Sequence, residues 1–389
     1  MKTLLTAAWV APMDGPILRD GGVAYEGRTI VAVGAANALK HSHPDAIVHE
    51  LGDVILLPGL VNAHCHLELA LCRRPAVPVS FTTWVRHLVG EMAASDLIKS
   101  ASSNVSTGLA ACMRFGVTCV GDITSNPSRA RGVLERPNPR MMSYGEVRAM
   151  ATRRDRLAEQ LKAAATDPWR TPWTRIGVSP HAPYSVEPEG YRQCLAIAKT
   201  NRLPLATHLA ETAEEAEFLA AHRGPFRELW DSFGAWDDAV PTFSGGPIRY
   251  AKHLGLLDYE RTSLAHVNYC DDDELALLAM GKASVVYCPR THRYFGHPPH
   301  RWREMLAAGI NVAVGTDSSA SSPDLNLVDD LRLLREIAPD VPVEAIWAMA
   351  TSRAARAVGM QEEVGSISGG KCADFVAFAA TGDQPLRAI

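Results

Sequence analysis

The chain has 389 residues, 47% of them hydrophobic, and its 39 Lys and Arg against 43 Asp and Glu leave a formal charge of −4. That length allows one large domain with a smaller one, or two to three average domains, and the apolar share suffices for a real core. No basic run points to nucleic acid, and the apolar stretches break well short of a membrane span, so the expected partner is a small molecule.

The N-terminal MKTLLTAAWVAPMDGP has only a short apolar core and runs directly into strand-like sequence, so it reads as fold rather than leader. Residues 1–56 hold short β-like runs with turn punctuation, as in DGGVAYEGRTIVAVG. Then come eight apolar runs of strand character: ILLPGLVNAH (55–64), VTCVGDI (117–123), RMMSYGEV (140–147), RIGVSPH (175–181), LPLATHL (203–209), TSLAHV (262–267), SVVYCP (284–289) and INVAVGTD (310–317). Helical stretches such as STGLAACMRF, GYRQCLAIAKT, DDDELALLAM and HRWREMLAAG separate them. The C-terminal VGSISGGKCADFVAFAA is β-like again. Strand–helix alternation implies a parallel sheet, and eight repeats imply a closed barrel. The expected fold is α/β: a (β/α)8 TIM barrel over 57–359, with 1–56 and 360–389 pairing as a small composite β-sandwich. The eight cysteines (Cys65, Cys72, Cys112, Cys119, Cys194, Cys270, Cys288, Cys372) form no CxxC pair. They read as reduced, mostly buried thiols of a cytoplasmic protein.

Most of the eight runs end on a polar residue: His64 and His66, Asp122, Glu146, His181, His208, His266 and Asp317. Each alone reads as a capping or satisfied core residue. In series they match a barrel, whose chemistry sits at the C-terminal strand ends. In NAHCHLELA, a continuing strand would put His64, His66 and Glu68 on one face and Ala63, Cys65 and Leu67 on the other. Neutral imidazoles with one carboxylate can hold a divalent metal, which lowers the pKa of a bound water. Glu211, three residues after His208 in THLAET, can reach back over the pocket as a general acid/base. Glu214, Glu215 and Glu217 read as a solvated helix face.

PGLVNAHCH, SPHAPYS, THLAET, LAHV and VGTDSSAS, in this order, resemble the amidohydrolase superfamily. The likeness is to its cytosine deaminase and chlorohydrolase-like branch, over nearly the whole chain. Transferred position by position, the resemblance implies His64, His66, His208 and Asp317 as metal ligands, Glu211 as proton shuttle and His266 as the group that orients the attacking hydroxide or polarises the substrate. Asp317 would also pass a proton to the leaving amino group, and His181 would bind substrate. Dinuclear members carry a carboxylated lysine at the end of strand four. RIGVSPHAP has none, so one divalent ion is expected, zinc ahead of iron. A homodimer is common among relatives.

HCHLEL further resembles the aminodeoxyfutalosine deaminases of a menaquinone route, which implies a 6-aminopurine nucleoside and a substrate contact for Glu68. Glu146 stands in the same position. For both, a structural acid is the competing reading. The loop CPRTHRYFGHPPHRW departs from the branch, with Thr291 and His292 where a Ser-Asn type pair is common. Arg290, His292, Phe295, His297 and His300 are expected to line the pocket or form a lid, ahead of a second metal site. Alternatives are hydrolytic dechlorination or loss of another ring substituent, a guanine- or cytosine-type deaminase, and a binding protein that kept the barrel. The complete ligand and acid/base set argues against the last.

Overall fold

A computed structural model of the chain describes residues 1–94, 101–133, 139–166, 171–380, 382 and 384–388. The first five strands, β1 (Lys2–Val10), β2 (Leu18–Glu26), β3 (Thr29–Ala35), β4 (Ile47–Glu50) and β5 (Val54–Pro58), belong to one sheet. β1 pairs antiparallel with β2 and parallel with β4 and β5. The C-terminal strand Phe375–Ala379 adds antiparallel to β5, so the two chain ends share this sheet. β5 is the seam between the two parts of the molecule. Its side chains alternate: Ile55 and Leu57 enter the large core, while Leu56 enters the core of the terminal sheet.

The expected first barrel strand is therefore two strands. The chain breaks at Gly59 and restarts as β6 (Leu60–Cys65). Gly59 donates its N–H to Asp374 O at 2.8 Å, and a Cβ there would collide with the Thr118 side chain. The mark of this change of sheet is the Pro58-Gly59 pair, which the reading of one continuous strand passed over.

β6 begins a parallel series with β7 (Val117–Thr124), β8 (Arg140–Val147), β9 (Thr174–Pro180), β10 (Leu205–Leu209), β11 (Thr262–His266), β12 (Ser284–Tyr287) and β13 (Val312–Val314). Each strand neighbours the next in chain order. The series closes where Cys65 bridges Asp317 and the Asp317 N–H donates to His64 O at 3.1 Å. Gly315 permits that closure, because a Cβ on it would stand 2.6 Å from His64 O. The result is a nearly closed TIM-like barrel, as expected.

Val61, Ala63, Cys119, Met142, Val286 and Ala313 pack with residues of the C-terminal segment, such as Ala354 and Val358. That apolar cluster fills the end at which the strands start and leaves the polar strand ends at the other. Among the described residues no helix is long and apolar enough to cross a membrane.

Candidate active site

The polar strand ends converge. His64 is the penultimate residue of β6, whose pairing with β7 is irregular between Asn62 and Cys65. The strand stops at Cys65, and His66 leads into the 3-10 turn Leu67–Leu69. The expected alternation through Glu68 thus ends early, yet both imidazoles reach the same point. His208 lies in β10, His266 ends β11, and Asp317 follows β13.

Three overlapping groups, His64/His208/His266, His64/His66/Asp317 and Glu211/His266/Asp317, each bring one ligand atom per residue within 4.8 Å of the others. His66 Nε2 lies 3.2 Å from His208 Nε2, and Asp317 Oδ1 lies 3.5 Å from His66 Nε2 and 3.7 Å from His64 Nε2. His208 donates through Nδ1 to His181 O at 3.0 Å, so its Nε2 presents a lone pair to the centre. Nε2 of His64 and of His266 is buried with no hydrogen-bond partner. Lone pairs aimed at one another in a buried space leave room for a shared cation and little else, so the donor set fits a divalent metal.

The electrostatics agree with ligation. Burial holds His66 and His266 down to about 3 and His208 well below the ordinary imidazole range, which keeps them neutral. Burial alone would raise Asp317, but the neighbouring rings of His64, His66 and His266 hold it well below the usual carboxylate value. Ser321 Oγ donates to Asp317 Oδ2 at 2.7 Å, and Thr291 Oγ1 stands 3.1 Å behind Ser321 Oγ. Thr291, one of the two departures from the branch pattern, therefore stands behind the Ser321 hydroxyl that holds Asp317.

Glu211 is 4% exposed, with Oε1 at 3.4 Å from His266 Nε2 and Oε2 accepting from Tyr184 OH at 3.5 Å. Burial, then the charges of Asp317 and Glu215, push its carboxyl well above the ordinary value, so it is suited to carry a proton. Four non-glycine residues at these strand ends have left-handed backbones: Ala210 (φ 50), His266 (φ 73), Val267 (φ 53) and Asp317 (φ 58).

A cavity of about 240 Å³ opens over the cluster, a scale suited to a small molecule. His66, His181, His208, Glu211 and Asp317 line it. His181 is held through Nδ1, 2.6 Å from Ser185 Oγ, while Glu146 Oε1 stands 3.6 Å from its Nε2, beyond a hydrogen bond. Glu146 itself stands behind His181, paired with Arg148 at 2.8 Å, and is not a cavity residue. Glu68 borders the cavity, but its carboxylate accepts from Thr124 Oγ1 at 3.2 Å and from Ser125 N at 3.0 Å.

His292 does not reach the cavity. Its Nε2 donates to Pro298 O at 2.9 Å, because the helix Pro289–Phe295 turns it back into its own loop. Arg290 is likewise taken up by Asp324 and Asp330, and Phe295 packs on Phe81 and Trp84. No metal-ligand group forms in this loop among the described residues.

Glu215 is the clearest correction. It is 0% exposed rather than solvated, and it accepts three backbone N–H groups, from Ala210, Glu211 and Thr212. In EEAEFL, the i, i+3, i+4 spacing of Glu215 with Phe218 and Leu219 could have marked it as inward-facing. Tyr184 and Ser321 sit in SPHAPYS and VGTDSSAS, yet one hydroxyl in such a run gives no sign of its partner.

A profile described as the amidohydrolase family matches residues 55–389. The chain belongs to the amidohydrolase family. This amidohydrolase is similar to the aminodeoxyfutalosine deaminase of Deinococcus radiodurans, 31% identical over 377 residues that cover 92% of this chain and 85% of the relative. It is also similar to the 5-methylthioadenosine/S-adenosylhomocysteine deaminase of Moorella thermoacetica, 28% identical over 394 residues, 96% and 85% of the two chains. Its fold is shared with an adenosine deaminase from Xanthomonas campestris with bound zinc, at TM-score 0.78 and 24% identity, covering 100% of this chain and 87% of that one.

Proposed function

We propose that this amidohydrolase hydrolyses the 6-amino group from an adenine nucleoside and releases ammonia, with aminodeoxyfutalosine or a related 6-aminopurine nucleoside as substrate. One observation carries the reading: the Glu211 carboxyl clusters with His266 and Asp317 and lines the same cavity as Asp317, His66, His181 and His208. The deaminase names of the relatives point the same way.

His64, His66, His208 and Asp317 would hold one divalent cation, zinc ahead of iron. When bound, that ion lowers the pKa of a water at its open position. Glu211 takes a proton from the attacking water and delivers it to the ring nitrogen beside the carbon under attack. His266, with Nε2 beside Glu211 Oε1, orients the attacking oxygen. Asp317 passes the remaining proton to the amino group, which leaves as ammonia. His181, held in place by Ser185, binds the substrate.

The outer cavity supports an extended substrate. Trp84, Val85, Leu88 and Leu229 make an apolar wall. Arg153 stands over the rings of Trp230 and Phe233 at 5.3 and 5.4 Å and has no carboxylate partner among the described residues. A lone guanidinium in such a wall supports a nucleoside whose arm ends in an anion, in preference to a methylthio arm. The eight free thiols support a reducing cytoplasmic setting.

Ammonia release from aminodeoxyfutalosine, S-adenosylhomocysteine, 5-methylthioadenosine and adenosine tests the reading, with metal content measured on the same sample. The expected result is turnover, fastest on the anionic arms, with one ion per chain. Absence of ammonia from all four would refute deamination of this class, and two tight ions would refute the single-metal site. Glu211→Gln should keep the metal and lose roughly 10²–10⁴-fold in kcat. Near-normal turnover would remove Glu211 from its role.

A further inference from the structure

Glu211 is the group on which proposed turnover depends, yet it does not lie on a strand. It is carried by the short connection between β10 and the helix Glu214–Ala221, past a left-handed Ala210. A carboxylate on such a turn keeps its aim only if the backbone beneath it is held. Two buried side chains do this. Glu215 Oε2 accepts the Ala210 N–H at 3.0 Å, while its Oε1 accepts the N–H groups of Glu211 at 2.5 Å and Thr212 at 3.1 Å. From the other side, Asn268 Nδ2 donates to Glu211 O at 3.0 Å.

The Glu211 peptide is thus gripped at its N–H by one residue and at its C=O by another. Glu215 is not a cavity residue and does not belong to the metal-ligand groups. A buried carboxylate placed under three consecutive amides exceeds what a short helix needs at its start, since most helix starts among the described residues carry no side-chain cap at all.

We propose that Glu215 and Asn268 are positioning residues that clamp residues 210–212 and so set the aim of the Glu211 carboxyl for proton transfer. The inference rests on the reading of Glu211 given above. His208 is oriented separately, through its own bond to His181 O, so loosening the clamp should leave metal binding and substrate affinity in place while proton transfer suffers. In Glu215→Gln the amide oxygen can keep the Glu211 and Thr212 bonds, while its NH2 faces the Ala210 N–H and accepts nothing. Glu215→Ala loses all three.

The test uses the zinc-loaded full chain. The expected order is a fall in kcat of about 10-fold for Glu215→Gln and about 100-fold for Glu215→Ala, the scale of an ångström-sized misplacement of a catalytic group. KM and zinc per chain should stay at wild-type values. In a Glu211→Gln background, Glu215→Gln should cost almost nothing more, since the group it aims is already gone. A merely structural residue would lower residual activity equally in both backgrounds.

Wild-type kcat in Glu215→Gln, or a loss that tracks metal or KM, overturns the proposal. If the Glu215 variants do not fold, Asn268→Ala decides through the same readouts. A kcat loss that vanishes in the Glu211→Gln background supports the clamp, and unchanged kcat overturns it. An active Glu211→Gln enzyme would instead sink the reading of Glu211 itself, and the two failures are therefore separable.

Discussion

Gly315→Ala tests whether closure of the barrel and assembly of the metal site are one event. The added Cβ would stand 2.6 Å from His64 O, 2.8 Å from His64 Cβ and 2.9 Å from His64 N. All three belong to the rigid part of His64, a proposed metal ligand, so no flexible side-chain end can swing away. Relief to an ordinary carbon contact near 3.5 Å requires β13 to retreat from β6 by roughly 1 Å. That movement pulls on the Asp317 N–H bond to His64 O and on the Cys65–Asp317 bridge. Overpacking of this kind costs about 1–3 kcal/mol, and a weakened buried hydrogen bond adds about 1 kcal/mol. For a chain of this size the sum corresponds to a fall in Tm on the order of 2–5 °C. Because the retreat separates His64 from Asp317, zinc affinity should drop by roughly 10–100-fold. Calorimetry on chelated protein reads the first effect, and competition with a chromogenic chelator reads the second. Gly34→Ala is the control, since a Cβ there meets nothing within 4 Å. If Gly315→Ala matches that control in both Tm and zinc affinity, closure and metal site are independent and the reasoning fails.

Ser321→Ala removes the 2.7 Å donor to Asp317 Oδ2 while leaving the Asp317 carboxylate. Zinc affinity should fall about 10-fold with the fold intact, as seen when outer hydrogen bonds to ligands are cut. An unchanged zinc titration would show that Ser321 is incidental. His300 supplies a pH signature. Burial holds its imidazole down to about 3, so the native state keeps it neutral while the unfolded chain takes up a proton below about 6.5. Its share of stability is therefore present above about pH 6.5 and is lost as pH falls toward 3, at up to ~1.4 kcal/mol per pH unit. Urea midpoints of chelated protein at neutral and mildly acidic pH should fall more in the wild type than in His300→Gln. Equal falls would contradict the argument.

The barrel was legible because strand interiors are apolar and strand ends are not. HxH, THLAE and GTD each announce a polar end on an apolar run, and closure brings them together. The change of sheet at Gly59 was missed because the flanking residues are apolar on both sides, although the Pro58-Gly59 pair is a turn signal. The sequence could not show direction at side chains inside a turn. Glu68 left the expected alternation because β6 stops at Cys65, and His292 turned back into its own loop. Glu215 looked like its charged neighbours; its spacing with Phe218 and Leu219 hinted that it faces inward, but the amides of Ala210, Glu211 and Thr212 that it accepts left no mark. Such errors share a cause: a polar residue is classified by its partner, and partners that are backbone atoms leave no letter in the sequence.

The left-handed residues at the mouth of the barrel bear on how this protein can change. Each such backbone costs on the order of 1–3 kcal/mol in a non-glycine residue. At His266 and Asp317 that cost cannot be relieved, since the glycine that would relax it deletes an imidazole or a carboxylate of the site. Ala210 and Val267 are free of that conflict. Descendants under selection for heat tolerance therefore have their cheapest gains one residue away from the functional side chains, where a relaxed turn also loosens Glu211 and His266. Adaptation to temperature and retention of turnover compete for the same few backbone angles in this chain.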